Sequence, residues 1–307
     1  MPTSESRLSV TFWGVRGSIA CPGPTTLRYG GNTPCVEVRA GDRLIVLDAG
    51  TGLLALGDRL SRRGEAVDVD ILLTHFHLDH ICGLPFFAPL FAAGHTVRIW
   101  AAAPASELAQ VVRTLVSPPL FPAGPTSLKA AVSYRGFAPG AAIEVYGLGI
   151  ETAALEHPGG AVGYRLDTGR ASLAYVTDTE IGPDPIEERM VALARGADLL
   201  IADCTYTEAE IVGRRGWGHA TWADAARLAD AAGARTLCLF HPDPSHDDAA
   251  MEALGALAQA ARPGSTVARG TDHRPLGRSG PTVERDRFEE TRAFHLRWEW
   301  PPERCDG

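Results

Sequence analysis

The sequence predicts an α/β protein built as a four-layered αββα sandwich, with two sheets packed face to face and helices on the outside. Three observations carry this reading. Apolar strand-like segments and amphipathic helix-like segments alternate in two successive blocks. In both blocks the conspicuous polar residues fall just after strand ends, as they would along one rim of paired sheets. No linker separates the blocks, so the 307 residues read as one domain, although length alone would allow two.

The first block is rich in strands. Residues 8–13 alternate, 35–39 are short and apolar, and 43–48 have the pattern of a buried strand. Glycine and proline punctuate them at Cys21-Pro22-Gly23-Pro24 and Gly30-Gly31. A short helix over 53–63 leads to an apolar strand at 69–74. A strand follows at 97–101, then a helix over 105–116 ended by Ser117-Pro118-Pro119. The second block has strands at 143–146, 150–155, 162–167, 172–177 and 199–202, with helices over 186–194 and 221–232. It closes with a strand at 236–240 and a helix over 247–261.

Residues 1–263 are expected to form the main domain, and the polar stretch from 264 a C-terminal extension to 307. At its end Phe294, Leu296, Trp298 and Trp300 alternate with His295, Arg297 and Glu299, the period of a strand. Such a strand suits a sheet edge, a homodimer contact or a wall of the substrate pocket.

Composition excludes several classes. Hydrophobic residues make up 45% and charged residues 21%, the balance of a globular protein with a substantial core. Acidic residues outnumber basic ones 37 to 29, for a net charge of −8. That disfavours an extended nucleic-acid partner, which needs a basic track. Of the 29 basic residues only Lys129 is a lysine, which fits a GC-rich genome better than arginine-based recognition. No apolar run approaches the roughly 20 residues that span a bilayer. The first residues lack the form of a secretory signal, and the six cysteines include no Cys-x-x-Cys pair. The expectation is a cytoplasmic protein with reduced thiols and no membrane partner.

The segment Thr74-His75-Phe76-His77-Leu78-Asp79-His80 puts four metal-capable side chains within six residues of an apolar strand. His75 and His77 can turn toward one point, and Asp79 and His80 toward a second. Imidazole with carboxylate suits zinc, and also iron or manganese, better than calcium or magnesium. Three further candidates follow strand ends: His157 before Pro158-Gly159-Gly160, Asp178 in Val-Thr-Asp-Thr, and His241 in Leu-Phe-His-Pro-Asp-Pro.

The histidine-rich segment is the motif of the metallo-β-lactamase superfamily, which the chain strongly resembles from about Leu8 to Ala261. The resemblance implies the αββα fold and two divalent metal ions, zinc first, with Mn2+ or Fe2+ as alternatives. It gives His75, His77 and His157 to one ion and Asp79, His80 and His241 to the other, with Asp178 bridging. Two divalent ions, two carboxylates and a bridging hydroxide leave about one positive charge, which favours an anionic substrate. A water on such ions has its pKa lowered toward neutrality, from about 15.7 to about 7. By resemblance Asp48, in Asp48-Ala49-Gly50-Thr51-Gly52, is not a ligand. It hydrogen-bonds the loop or a liganding imidazole, or caps its own turn.

Within the family, an aspartate at 178 and no cysteine ligand separate the chain from lactamases with a cysteine at the second metal; Cys204 reads as a buried thiol. The stretch from Ala197 to Tyr206, followed by Gly218-His219-Ala220-Thr221, resembles the ribonuclease Z and phosphonate-cluster phosphodiesterase branch. There the histidine matching His219 contacts the scissile phosphate or protonates the leaving oxygen, and Thr221 would cap the helix behind it. Two departures count against tRNA processing. Where ribonuclease Z has His-Glu-Ala-Thr, this chain has Ala202-Asp203-Cys204-Thr205, and no long basic insertion is present to grip tRNA. The glutamate that diiron relatives place in the motif is replaced by His77. Arg16 and Asn32, in glycine-rich turns, either reach the site rim or build the turns.

The expected activity is therefore a dinuclear metal-dependent hydrolase that uses metal-activated hydroxide. The foremost substrate is a small anionic phosphodiester such as a cyclic nucleotide, with Asp79 and His219 as catalytic residues. Hydrolysis of a carboxylic ester, thioester, lactone or β-lactam is the alternative. A tRNA nuclease and a non-hydrolytic metal protein come after it.

Overall fold

A computed structural model describes residues 8–183, 185–276 and 284–285. The first block contributes β1 (Leu8–Gly14), β2 (Cys35–Ala40), β3 (Arg43–Leu47), β4 (Asp68–Leu73), β5 (Thr96–Ala101) and β6 (Ala131–Gly136). The second contributes β7 (Ile143–Val145), β8 (Leu148–Leu155), β9 (Ala161–Asp167), β10 (Ser172–Val176), β11 (Leu199–Asp203), β12 (Thr236–Phe240) and β13 (Thr266–Val267). Then come β14 (Asp272–Leu276) and β15 (Glu284–Arg285).

One sheet runs β15-β14-β1-β2-β3-β4-β5-β6 and the other β13-β12-β11-β10-β9-β8-β7. In each, an antiparallel half joins a parallel half: β3 to β6 run parallel, and so do β10 to β13. Parallel strands need crossovers, and helices supply several of them. Those that flank the sheets are α1 (Gly52–Arg62), α3 (Ala105–Leu115), α4 (Glu188–Ala194), α6 (Trp222–Ala232) and α7 (Asp248–Ala261); α2 (Leu78–Ile81) and α5 (Glu208–Ile211) are single turns.

The four layers follow from alternation along the strands. In β4, Leu72 faces the layer between the sheets while Val69, Ile71 and Leu73 face α1 and α3. The central layer is anchored by rings, with Phe240 tilted against Phe12 at 6.0 Å and edge-on to Tyr175 at 5.6 Å. The third layer packs Met190, Ala225, Leu228, Ala229 and Met251 on the second sheet. No helix among the described residues is long and apolar enough to cross a membrane.

Two features depart from the sequence expectation. β6 is an edge strand with half-exposed and exposed side chains, and only Val132 and Tyr134 of it pack on the core, too short an apolar pattern to mark a strand. β13 and β14 lie beyond residue 263 yet pair with β12 and β1, so the sheets run on into the stretch expected to be an extension. The strand expected over 294–300 lies outside the described residues.

The geometry that matters for function is the shared rim. β3, β4, β8, β10, β11 and β12 end on it, and the chain leaves several of those ends abruptly. Asp48, Asp178 and His241, each just beyond the end of its strand, have φ of 62°, 56° and 64°, a conformation that side chains other than glycine rarely adopt. The turn swings each side chain out of the strand pleat and toward a common point.

Candidate metal centre

All seven expected ligands meet on this rim. His75 and His77 follow β4, α2 carries Asp79 and His80, and His157, Asp178 and His241 follow β8, β10 and β12. The side chains fall into overlapping groups, within each of which the ligand atoms lie within 4.8 Å of one another. His75, His77 and His157 form one; Asp79, His80 and His241 form another; Asp178 joins His75 and His80 in a third and reaches His241 in a fourth.

The spacings suit metal coordination. His77 Nδ1 and His157 Nε2 are 3.0 Å apart. His241 Nε2 is 3.3 Å from both His80 Nε2 and Asp79 Oδ2, and 3.2 Å from Asp178 Oδ1. His80 Nε2 is 3.4 Å from Asp178 Oδ2. Ligand atoms about 2.0 Å from one tetrahedral ion stand about 3.3 Å from each other. His75 Nε2 is buried with no hydrogen-bond partner among the described residues, as the donor atom of a metal ligand would be.

The surrounding contacts set which ring nitrogen faces the cluster. His80 Nδ1–H donates to Asp48 Oδ2 at 2.9 Å. His75 Nδ1–H donates to Thr74 Oγ1 at 3.0 Å, and that hydroxyl donates to Asp48. His157 Nδ1–H donates to the Gly218 carbonyl at 2.9 Å. His241 Nδ1–H donates to Thr205 Oγ1 at 3.1 Å, which in turn donates to the His241 carbonyl. Each of these four imidazoles therefore has its Nδ1 engaged and turns Nε2 inward, the atom a metal would take. His77 presents Nδ1 instead. Asp79 Oδ2 accepts the Ser18 amide at 2.8 Å.

Residues 43–242 match the Beta-lactamase superfamily domain. The chain belongs to the metallo-β-lactamase superfamily. A ribonuclease Z of Bradyrhizobium sp. (strain ORS 278) is 30% identical over 294 residues, spanning 78% of this chain and 93% of that protein. The match to the ribonuclease Z of Pseudomonas putida is shorter: 47% identity over 62 residues, with the chain covering 19% of that protein's length. Among solved structures, the metallo-β-lactamase fold protein YhfI from Bacillus subtilis superposes with a TM-score of 0.67 at 20% identity, over 88% of this chain and all of that one. A diphosphatase from the PhnP family gives 0.64, also at 20% identity, over 88% of this chain and 98% of its own. This member of the superfamily is a metal-dependent hydrolase near the ribonuclease Z branch.

The electrostatics of the superfamily site suit a cation. Burial, reinforced by His80, lowers the His75 imidazole to about 2, so it stays neutral. Burial also works against a charged His80, but Asp178, Asp48 and Asp79 surround it and hold its pKa well above the ordinary value. Asp79 and Asp178 are kept ionised against burial by His80 and His241.

His219 sits beside this cluster, its ring stacked 5.2 Å from that of His241 and edge-on to His157 at 5.2 Å. Its Nδ1–H donates to Asp203 Oδ2 at 3.0 Å, leaving Nε2 on the cleft side. Burial lowers the imidazole pKa, but Asp203, with Asp178 and Asp79 beyond it, raises it to about 9. Asp203 also accepts the amides of Asp178, Thr205 and Ala220, which fills both oxygens and makes it an organiser rather than a ligand. Thr221 caps α6 in a reciprocal pair with Asp224 and fixes the approach of His219.

Arg16 and Asn32 build the turns. Arg16 is fully buried and donates to the carbonyls of Gly30 and His246, while the Asn32 carbonyl accepts the amides of Val15 and Arg16. Cys204 is a buried free thiol whose pKa burial raises well above the ordinary value. Thr74, Tyr175, Ser18 and Thr205 all orient site residues and escape a sequence reading. Only fold-level contacts give them roles; Tyr175, for instance, donates to Asp48 across the sandwich at 2.9 Å.

Proposed function

We propose that the chain is a dinuclear metal phosphodiesterase acting on a small anionic substrate, such as a cyclic nucleotide or a related nucleotide diester. The observation that carries this reading is the Asp203–His219 pair poised beside the seven-residue cluster. Hydrolysis of a phosphodiester needs a proton for the leaving oxygen, and a protonated imidazole with one nitrogen free can deliver it.

His75, His77 and His157 would hold one ion, and Asp79, His80 and His241 the other, with Asp178 between them. Two divalent ions, zinc or alternatively manganese or iron, supply an activated water and stabilise negative charge on the attacked phosphate. Asp48, Thr74 and Thr205 keep the imidazoles in the required tautomers. Asp203 holds Nδ1 of His219 protonated, and His219 Nε2–H transfers its proton to the departing oxygen. The cleft beside His219, about 560 Å³, has room for a mononucleotide.

RNA is the second reading, favoured by the likeness to a ribonuclease Z over 93% of that protein. The net charge of −8 weighs against a long phosphate track.

The test is a panel of bis-p-nitrophenyl phosphate, cyclic nucleotides, an RNA with a 3′ extension, a lactone and nitrocefin, assayed with the metal content known. Metal-dependent cleavage of the small diesters, lost in His219→Ala, is expected. Preferred RNA cleavage, or lactone cleavage that survives His219→Ala, would replace the proposal. Absence of phosphodiester turnover with both ions bound would sink it.

A further inference from the structure

The cleft beside His219 has one wall that metal chemistry does not use. Trp217 stands on its lip, 57% exposed, two residues before His219, and has no ring or hydrogen-bond partner for its side chain among the described residues. An exposed tryptophan on a floppy loop would say little, but this loop is tethered. Glu180 accepts the amides of Gly216 and Gly218, and the Trp217 amide donates to the Arg214 carbonyl. Gly218 lies so close to His157 that a Cβ there would sit 2.3 Å from Nδ1. Trp217 is thus fixed relative to the metal-ligand cluster.

A second ring lies in the same cleft. Tyr206 meets His219 edge-on at 5.6 Å, and the Arg214 guanidinium rides 4.8 Å over the tyrosine ring. Arg214 has no carboxylate partner among the described residues and donates one bond, to the Glu210 carbonyl. Pro158 and Pro244 complete the apolar lining. Flat apolar surfaces, a guanidinium with no carboxylate partner among the described residues and the His219 imidazole in one cleft, with the Asp243 carboxylate at its edge, suit a flat, π-bearing group attached to a phosphate.

Building on the phosphodiesterase reading, we infer that Trp217, with the Arg214–Tyr206 stack facing the same cleft, is a base-recognition wall. The substrate is then a nucleotide-type diester whose base stacks on the indole while its phosphate lies against the metal cluster. Trp217 determines specificity and takes no part in the chemical step.

The holoenzyme is assayed with thymidine 5′-(p-nitrophenyl) phosphate and with methyl p-nitrophenyl phosphate, which release the same leaving group and differ in carrying a nucleoside or a methyl group. The kcat/KM ratio is expected to favour the thymidine ester about tenfold, to fall toward about one in Trp217→Ala, and to be largely kept in Trp217→Phe. Calorimetry with AMP and ribose 5-phosphate gives a binding readout in the same order, and an unstructured oligoribonucleotide reports whether the base belongs to a mononucleotide or a chain. If both esters turn over and the ratio is the same in wild type and Trp217→Ala, base stacking is overturned while the phosphodiesterase reading stands. If neither ester turns over, the phosphodiesterase reading fails. The AMP comparison then decides on stacking alone, and equal affinity for AMP and ribose 5-phosphate overturns it.

Discussion

His80 Nδ1 lies 2.9 Å from Asp48 Oδ2, and the same carboxylate takes the Tyr175 hydroxyl and the Thr74 amide. Asp48 thereby ties a ligand on one sheet to a tyrosine on the other. Asp48→Asn keeps the size and removes the charge that orients His80. Zinc affinity is expected to weaken about 10- to 100-fold in chelator competition. Unchanged affinity would reduce Asp48 to a turn-former.

The overlapping groups predict an asymmetry in metal loss. His157 groups with His75 and His77, and His241 with Asp79 and His80, whereas Asp178 groups with His75 and His80 and separately with His241, so it neighbours members of both triads. His157→Ala and His241→Ala should each leave one tightly held ion per chain, and Asp178→Ala neither. Metal content after desalting measures this directly, and an Asp178→Ala protein retaining both ions would contradict it.

Gly218 has φ of +81°, and an added Cβ would lie 2.3 Å from His157 Nδ1. Gly218→Ala should destabilise the fold by about 1–3 kcal/mol and cut metal-dependent turnover, because the carbonyl that orients His157 must move. Thermal unfolding and steady-state rates check it. Loss of stability with full activity would separate the backbone strain from the orienting role.

Stability of the metal-free protein should depend on pH through His219. Its folded-state pKa is raised from 6.5 to about 9, by Asp203 against burial. The folded state holds this proton more tightly, so the stabilisation is fully present below pH 6.5 and is lost as pH rises through about 9. The total is on the order of 3 kcal/mol. Urea unfolding of chelated wild type should weaken across that window. His219→Gln should flatten this component; an unchanged slope would remove His219 as its source.

Sequence reading reaches the local parts of this site and stops at the nonlocal ones. The run from His75 to His80 is legible because its spacing is set within one strand end and one helical turn. His157, Asp178 and His241 are legible because each follows a strand whose apolar pattern is plain. Asp203 stands out only as an acidic strand end, since its hold on His219 depends on a turn 16 residues away. Tyr175 looks like any strand aromatic, and β6 hides because only Val132 and Tyr134 of this edge strand pack inward. For Arg16 the sequence leaves the rim and the turn equally open, and only the fold shows its guanidinium spent on backbone carbonyls.

The left-handed backbone at Asp48, Asp178 and His241 sets a limit on how robust this protein can be. Each such turn costs on the order of 1 kcal/mol relative to glycine, and all three sit where function needs a side chain. Glycine at these positions would relax the backbone and abolish the site. A lineage freed from the need to hydrolyse anything could therefore gain backbone ease at the same three points, and selection for stability alone would erase the enzyme there first.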